Sequence, residues 1–271
     1  MSNELEAFLE YIQVTKALSK KSCEAYRNDL LQIEELTGKP LISLDTNTTL
    51  NALSSYRNKR TLNRKLSAVN TFFEFCFRSD FVAERQKIKL AKIPKNLPKF
   101  LSYEQIQKGI KSIDTAGWTG KRDAALILFL YATGMRITEC LSMRRVDIDG
   151  SWLRVRHGKG DKERLIPVAK EALSLLQGYL DDLPFEKEEI WLNYTGKALS
   201  RISAFKITQK YLGVSPHVLR HSYATALILG GADLRVVQEL LGHSSLMTTQ
   251  LYTHIQKKNL QDTVLKHHPM A

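Results

Sequence analysis

The chain predicts a mainly α-helical fold with a small antiparallel β-sheet, divided into two domains, and three observations predict it. Apolar residues recur at helical spacing through most of the chain. Two short β-type runs stand together in its middle, around a glycine-flanked turn. A stretch rich in lysine and carrying two prolines interrupts the helical pattern before residue 100.

Over residues 5–37 the stripes are Leu5, Phe8, Leu9 and Ile12, then Tyr26, Leu30 and Ile33, with Ser19 and Ser22 placed to cap the second helix. Leu62, Leu66, Val69, Phe72, Phe73 and Phe75 to Phe77 continue the same period, and Arg57, Lys59, Arg60, Arg64, Lys65 and Arg78 read as its polar faces. From Ser55 to Lys95 there are 11 Lys and Arg against 3 acids, a net of +8, whereas Met1 to Ser54 has a net of −3. The basic charge is therefore concentrated on one segment. Lys87 to Lys99, with Pro94 and Pro98 among five lysines, cannot continue a helix and reads as an extended linker that includes Lys92 and Lys95. The boundary set there gives domains over 1–90 and 100–271, joined by a linker at 91–99.

Ser102 opens the second domain's first helix, and Arg122 to Tyr131 is almost continuously apolar, so it must be buried on most sides. Trp152, Leu153 and Val155, then Leu165, Ile166 and Val168, flank His157-Gly-Lys-Gly-Asp161 and read as a hairpin. Helical spacing returns over 170–180, about 200–211, 217–229, 234–241, 246–253 and near 257–266.

The 271 residues are 43% hydrophobic, which suits a globular protein, and the formal charge of +12 favours a polyanionic partner, nucleic acid first and anionic membrane second. No apolar run approaches the roughly 20 residues that span a bilayer, and the acidic start Met1 to Glu10 is unlike a secretion signal. A cytoplasmic protein without membrane association is expected. Cys23, Cys76 and Cys140 are too scattered for a zinc ribbon and read as reduced core residues.

Several polar residues can carry chemistry. Ser215-Pro216 starts a helix that puts His217 and Arg220 on one face beside its positive end, a ready anion site or simply a solvated face. His217 and His221 lie at i, i+4 but lack any further metal ligand, so no metal is expected. Arg136 leaves the buried helix after Gly134, either aimed at a ligand or paired with Glu139. Lys159 tips the hairpin, where a lysine is either solubilising or able to reach a partner. Asp233 caps a helix that Gly242 ends, with His243 just beyond and Tyr252 nine residues later.

Taken together, ATGMRITECL, HGKGDKERLIPV, SPHVLRHSYATALILGGADLRVVQELLGHSS and TTQLYTHI carry Arg136, Lys159, His217, Arg220, His243 and Tyr252 in the order found in the tyrosine recombinases. The chain resembles that phage integrase family strongly over 97–271 and more loosely before, through TLNRKLSAVNTFFEFC. Through LPKFLSYEQI and the closing LKHHPMA it is most similar to the Xer recombinases. The resemblance implies a two-domain clamp on double-stranded DNA: a helical core-binding domain, then a catalytic domain with an exchange helix at about 256–266. It implies that Tyr252 attacks a phosphodiester to form a 3′-phosphotyrosyl link while Lys159 protonates the departing 5′-oxygen. Arg136 and Arg220 would bind the non-bridging oxygens, His217 would assist proton transfer, and His243 would hold a phosphate oxygen or orient the nucleophile. No cofactor is implied. Arg57, Lys59, Arg60, Arg64, Lys65, Lys92 and Lys95 become DNA-binding candidates.

Family partners would be a homotetramer on synapsed DNA or a heterotetramer with a paralogue, with a DNA translocase as regulator. Resolution of chromosome or plasmid dimers is expected, against a mobile-element integrase or a non-catalytic DNA-binding protein of the same fold. Leu260, Val264 and Leu265 form an apolar stripe expected to dock on the adjacent subunit rather than on its own domain.

Overall fold

The computed structural model of the chain describes residues 2–16, 18–93, 99–156, 163–242 and 254–270, with only the backbone for 254–259. The chain separates into two compact units, Met1–Asn96 and Leu97–Ala271.

Among its described residues the first unit holds four α-helices, α1 (Asn3–Val14), α2 (Lys20–Thr37), α3 (Thr46–Leu53) and α4 (Lys59–Arg78), with a 3-10 turn at Leu41–Ser43 between α2 and α3. Each starts at a residue whose side-chain oxygen accepts from the first turn: Ser2, Ser19, Asp45 and Asn58. Leu5, Phe8 and Ile12 meet Leu30 and Ile33 and the Leu66, Val69, Phe72 stripe, with Phe8 and Phe72 edge to face at 5.3 Å.

Lys65 corrects the sequence reading. It lies on the core stripe of α4, three, four and seven residues before Ala68, Val69 and Phe72, and its side chain is 2% exposed. Its ammonium donates to Asp29 Oδ1 at 3.0 Å and Gln32 Oε1 at 2.5 Å on α2. Burial and pairing remove Lys65 from any DNA-facing surface. Arg64 also pairs with Asp29 but stays largely exposed, as do Arg57, Lys59, Arg60 and Lys92, while Lys95 lies outside the described residues.

In the second unit α5 (Tyr103–Lys111) begins with a Ser102–Gln105 capping box. The apolar helix α6 (Trp118–Thr133) is buried from Ala124 to its end and stops where Gly134 turns left-handed at φ +59°. A side chain at 134 would collide with the Tyr223 ring, so the turn needs glycine twice over. The short α7 (Ile137–Leu141) follows.

The sheet has three antiparallel strands in the order β1 (Ile148–Asp149), β2 (Trp152–Val155) and β3 (Arg164–Pro167), one more than the sequence patterns suggested. The extra strand is two residues long, too short for a period-two pattern to register. Then come α8 (Lys170–Asp181) packed on α6, α9 (Arg201–Leu212), α10 (Pro216–Leu229), α11 (Leu234–Leu241) and α12 (His254–His267). Ser215 occupies the N-cap of α10 without a side-chain cap bond; its carbonyl accepts from Val218 N instead. The helix expected over 246–253 lies outside the described residues. Cys23, Cys76 and Cys140 are buried free thiols. Among the described residues no helix is long and apolar enough to cross a membrane.

In the single chain the terminal stripe packs within its own unit. Leu260 and Val264 are buried in their own unit against Tyr223, Leu227, Val237 and Leu240, whereas Leu265 is exposed. Covering the apolar faces of α10 and α11 with this stripe removes both surfaces from water. Beyond the helix, His268 sits between the Tyr131 and Tyr223 rings, at 4.9 and 5.1 Å. Its Nδ1 accepts from Met270 N, and its Nε2 has no partner among the described residues.

Burial lowers the His268 pKa to about 4. The folded value lies below that of an exposed histidine, so the unfolded chain takes up the proton first as pH falls. The resulting stability is complete above about pH 6.5 and is lost down to about pH 4, on the order of 3 kcal/mol in all. Melting followed by circular dichroism should therefore fall more steeply with acid for the wild type than for His268→Phe; equal slopes would refute the assignment.

Candidate active site

The site is assembled from helix ends. Gly134 stops α6, and the chain leaves through Arg136, the N-cap of α7. Three residues on, Glu139 turns back: its Oε2 accepts from Arg136 N at 2.8 Å and its Oε1 from Arg136 Nη1 at 2.7 Å. From β3, Arg164 grips the same carboxylate, Nη2 to Oε2 at 2.8 Å and Nη1 to Oε1 at 3.2 Å. From α10, Arg220 donates Nη1 to Gly134 O at 2.7 Å.

All three arginines converge on one helix C-terminus. Leu240 O accepts from Arg164 Nε at 3.0 Å, Leu241 O from Arg220 Nη2 at 2.7 Å, and Gly242 O from Arg136 Nη2 at 3.1 Å. The last carbonyls of a helix lack partners within it and carry the negative end of its dipole, so they suit guanidinium donors.

Three guanidinium groups against one carboxylate leave a formal excess of two positive charges in a poorly solvated place. Burial raises the Glu139 pKa, but the hydrogen bonds and charge of Arg164, together with Arg136, outweigh it and hold the group at about 2. Burial, then the neighbouring charges of Arg136 and Arg164, bring Arg220 down to about 10, still cationic at neutral pH. An anion placed here would relieve that repulsion. Arg136, with 31% of its side chain exposed, is the member open to a ligand; Arg164 is 5% exposed.

His217 lies in the first turn of α10, exposed, three residues before Arg220. Of the six residues expected to act together, the fold thus brings Arg136 and Arg220 into one cluster and sets His217 on the same helix as Arg220. Lys159, His243 and Tyr252 lie outside the described residues. The described chain stops close to the cluster at both places: the Val155↔Arg164 pair comes just before 157–162, and Gly242 just before 243–253.

Pairing of Arg136 with Glu139, the bland alternative in the sequence, is present and does not compete with anion binding, because the cluster keeps excess positive charge. Arg164 was missed. Strand alternation could have found it, since position 164 shares the inward face of Ile166 and an inward arginine demands a carboxylate. Replacing Glu139 by Gln should lower unfolding stability by about 2 kcal/mol, because one of its two acceptor oxygens becomes an NH2 that faces other donors and the arginines lose their counter-charge; urea unfolding would check this, and an unchanged midpoint would count against it.

The Phage integrase family model matches residues 99–259, and the model of the phage integrase N-terminal SAM-like domain matches 5–80. The chain belongs to the tyrosine recombinases. It is 34% identical to tyrosine recombinase XerD of Listeria monocytogenes over the full length of both chains. Against tyrosine recombinase XerC of Bacillus subtilis the identity is 35%, over 100% of this chain and 98% of that one. Among solved structures, the XerH site-specific recombinase in its pre-cleavage complex with difH substrate superposes with a TM-score of 0.66 at 26% identity, over 96% of this chain and 83% of that one. A lambda integrase dimer bound to a COC′ core site, 18% identical with a TM-score of 0.67 over 92% of this chain and 98% of that one, shares the fold. The recombinase is thus a DNA strand-breaking and rejoining enzyme of Xer type, mostly helical, with a SAM-like first domain and a catalytic second one.

Proposed function

We propose that the recombinase cuts and rejoins double-stranded DNA through a phosphotyrosyl bond at Tyr252, and that Arg136 and Arg220 form its phosphate clamp. The observation that supports this most is their convergence, from separate helices, on consecutive carbonyls beside a net positive cluster. The pentavalent transition state gains charge on its non-bridging oxygens, and forked donors held rigidly near that charge stabilise it more than the ground state.

In this scheme the Tyr252 oxygen forms a bond to phosphorus as the bond to the 5′-oxygen breaks. His217 receives the phenolic proton, Lys159 supplies one to the leaving oxygen, and His243 holds or orients the phosphate. One ester replaces another, so the exchange needs no nucleotide and reverses when a 5′-hydroxyl attacks the phosphotyrosine.

The exposed Arg57, Lys59, Arg60, Arg64 and Lys92 would track phosphates, giving steeply salt-dependent binding. As a recombinase similar to XerC and XerD, it would be a cytoplasmic enzyme resolving chromosome or plasmid dimers as a tetramer, alone or with a paralogue. A suicide duplex, nicked beside the scissile phosphate and selected from a random-core library by covalent capture, tests the reading. The wild-type chain should yield a protein–DNA adduct stable in detergent. Binding without any adduct would leave a DNA-binding protein of the same fold.

A further inference from the structure

We propose that Arg164 is a positioning residue for strand cleavage, fixing the orientation of Arg136 through Glu139 and anchoring the end of α11 from which the Tyr252 segment departs. This rests on the reading of Arg136 and Arg220 as the phosphate clamp.

Arg164 spends its donors on two tasks. Its fork holds both oxygens of Glu139, and its Nε holds Leu240 O. The two Glu139 oxygens also receive the Arg136 backbone N–H and Nη1, so the carboxylate is gripped from both sides. Such a carboxylate cannot rotate without breaking several charge-assisted bonds. The Arg136 guanidinium is thereby held in one orientation, with Nη2 on Gly242 O, while 31% of its side chain stays exposed.

Close packing makes the same link to α11. Gly242 turns left-handed at φ +65°, and a side chain there would press on Arg164 at Nη1, Cζ and Cδ, 3.0 to 3.2 Å away. The arginine therefore lies directly under the helix cap that precedes residues 243–253. Without it, Glu139 is a buried carboxylate facing a single cation. Arg136 would then be drawn wholly into that pair, and its donors would turn away from a phosphate. A buried ion pair is a weak source of net stability, so this placement has more to do with geometry than with holding the fold.

The test uses the full chain and the nicked suicide duplex that wild type captures, with Arg164→Met and Arg164→Lys. Duplex affinity is measured by fluorescence anisotropy, adduct formation under single-turnover conditions, and folding by melting, all below each variant's transition. Arg164→Met should bind within about threefold of wild type yet form adduct about 100-fold more slowly, the loss that a misplacement near 1 Å can cause. Arg164→Lys keeps the charge without the fork and should fall between, about tenfold slow.

A folded Arg164→Met protein cleaving within about threefold of wild type overturns the proposal, and so does a loss of binding as large as the loss of cleavage, which marks a merely structural arginine. If the methionine variant does not fold, Arg164→Lys decides by the same two criteria. Failure of the wild type itself to form adduct overturns the clamp reading, and the Arg164 role with it.

Discussion

Tyr252→Phe should bind the suicide duplex with wild-type affinity and form no adduct at all. The substitution removes one oxygen and keeps the ring, so the bulk of the side chain and its charge at neutral pH are unchanged. On the proposed mechanism what disappears is the atom that would bond to phosphorus, and a nitrogen nucleophile would instead give a nitrogen–phosphorus link of different acid stability. Free phenol has a pKa near 10 and is a poor nucleophile at neutral pH. On the proposed mechanism its activation would come from the positive cluster of Arg136, Arg164 and Arg220, which would stabilise a developing phenolate as well as the phosphorane. Denaturing gels after incubation with labelled DNA check this directly. An adduct of undiminished yield would show that another residue is the nucleophile and would remove Tyr252 from the mechanism.

The second large effect is expected at Arg220. Its guanidinium spans Gly134 O and Leu241 O, both at 2.7 Å, and so ties the end of α6 to the end of α11. A lysine has one nitrogen and cannot satisfy two acceptors on opposite sides while facing a phosphate. Arg220→Lys should lose about 10²- to 10³-fold in the single-turnover rate of adduct formation, the usual cost of one donor to transition-state charge. It should also unfold about 1–3 kcal/mol more easily, because a buried carbonyl is left without a partner. Duplex binding, carried by many phosphate contacts, should change far less. If the lysine protein cleaves at the wild-type rate, Arg220 does not touch the phosphate and serves only to join the two helix ends.

Much of the fold was legible because its cues are local. Ser19 and Ser102 cap their helices through contacts three residues away, and Gly134 and Gly242 end theirs by adopting a left-handed turn. The apolar run of α6 announced a buried helix from composition alone. Lys65 shows where that style of reading fails. Its charge suggests a polar face, yet its phase on α4 is that of Val69 and Phe72. Only Asp29 and Gln32, supplied by another helix, make its burial tolerable. The terminal stripe of Leu260 and Val264 likewise declared an apolar face but not what would cover it.

By itself the sequence determined most of the helical periods, the hairpin strands, many of the caps, and which residue types are available for phosphoryl chemistry. These depend on neighbours within a turn or two. The tertiary structure alone decided which polar groups share a site: Glu139 meets Arg164 across 25 positions, Arg220 meets Gly134 across 86, and Arg136 meets Gly242 across 106. Coulomb and hydrogen-bond energies fall steeply with distance, so a charge becomes a partner only once packing of the apolar stripes has brought it within a few ångströms.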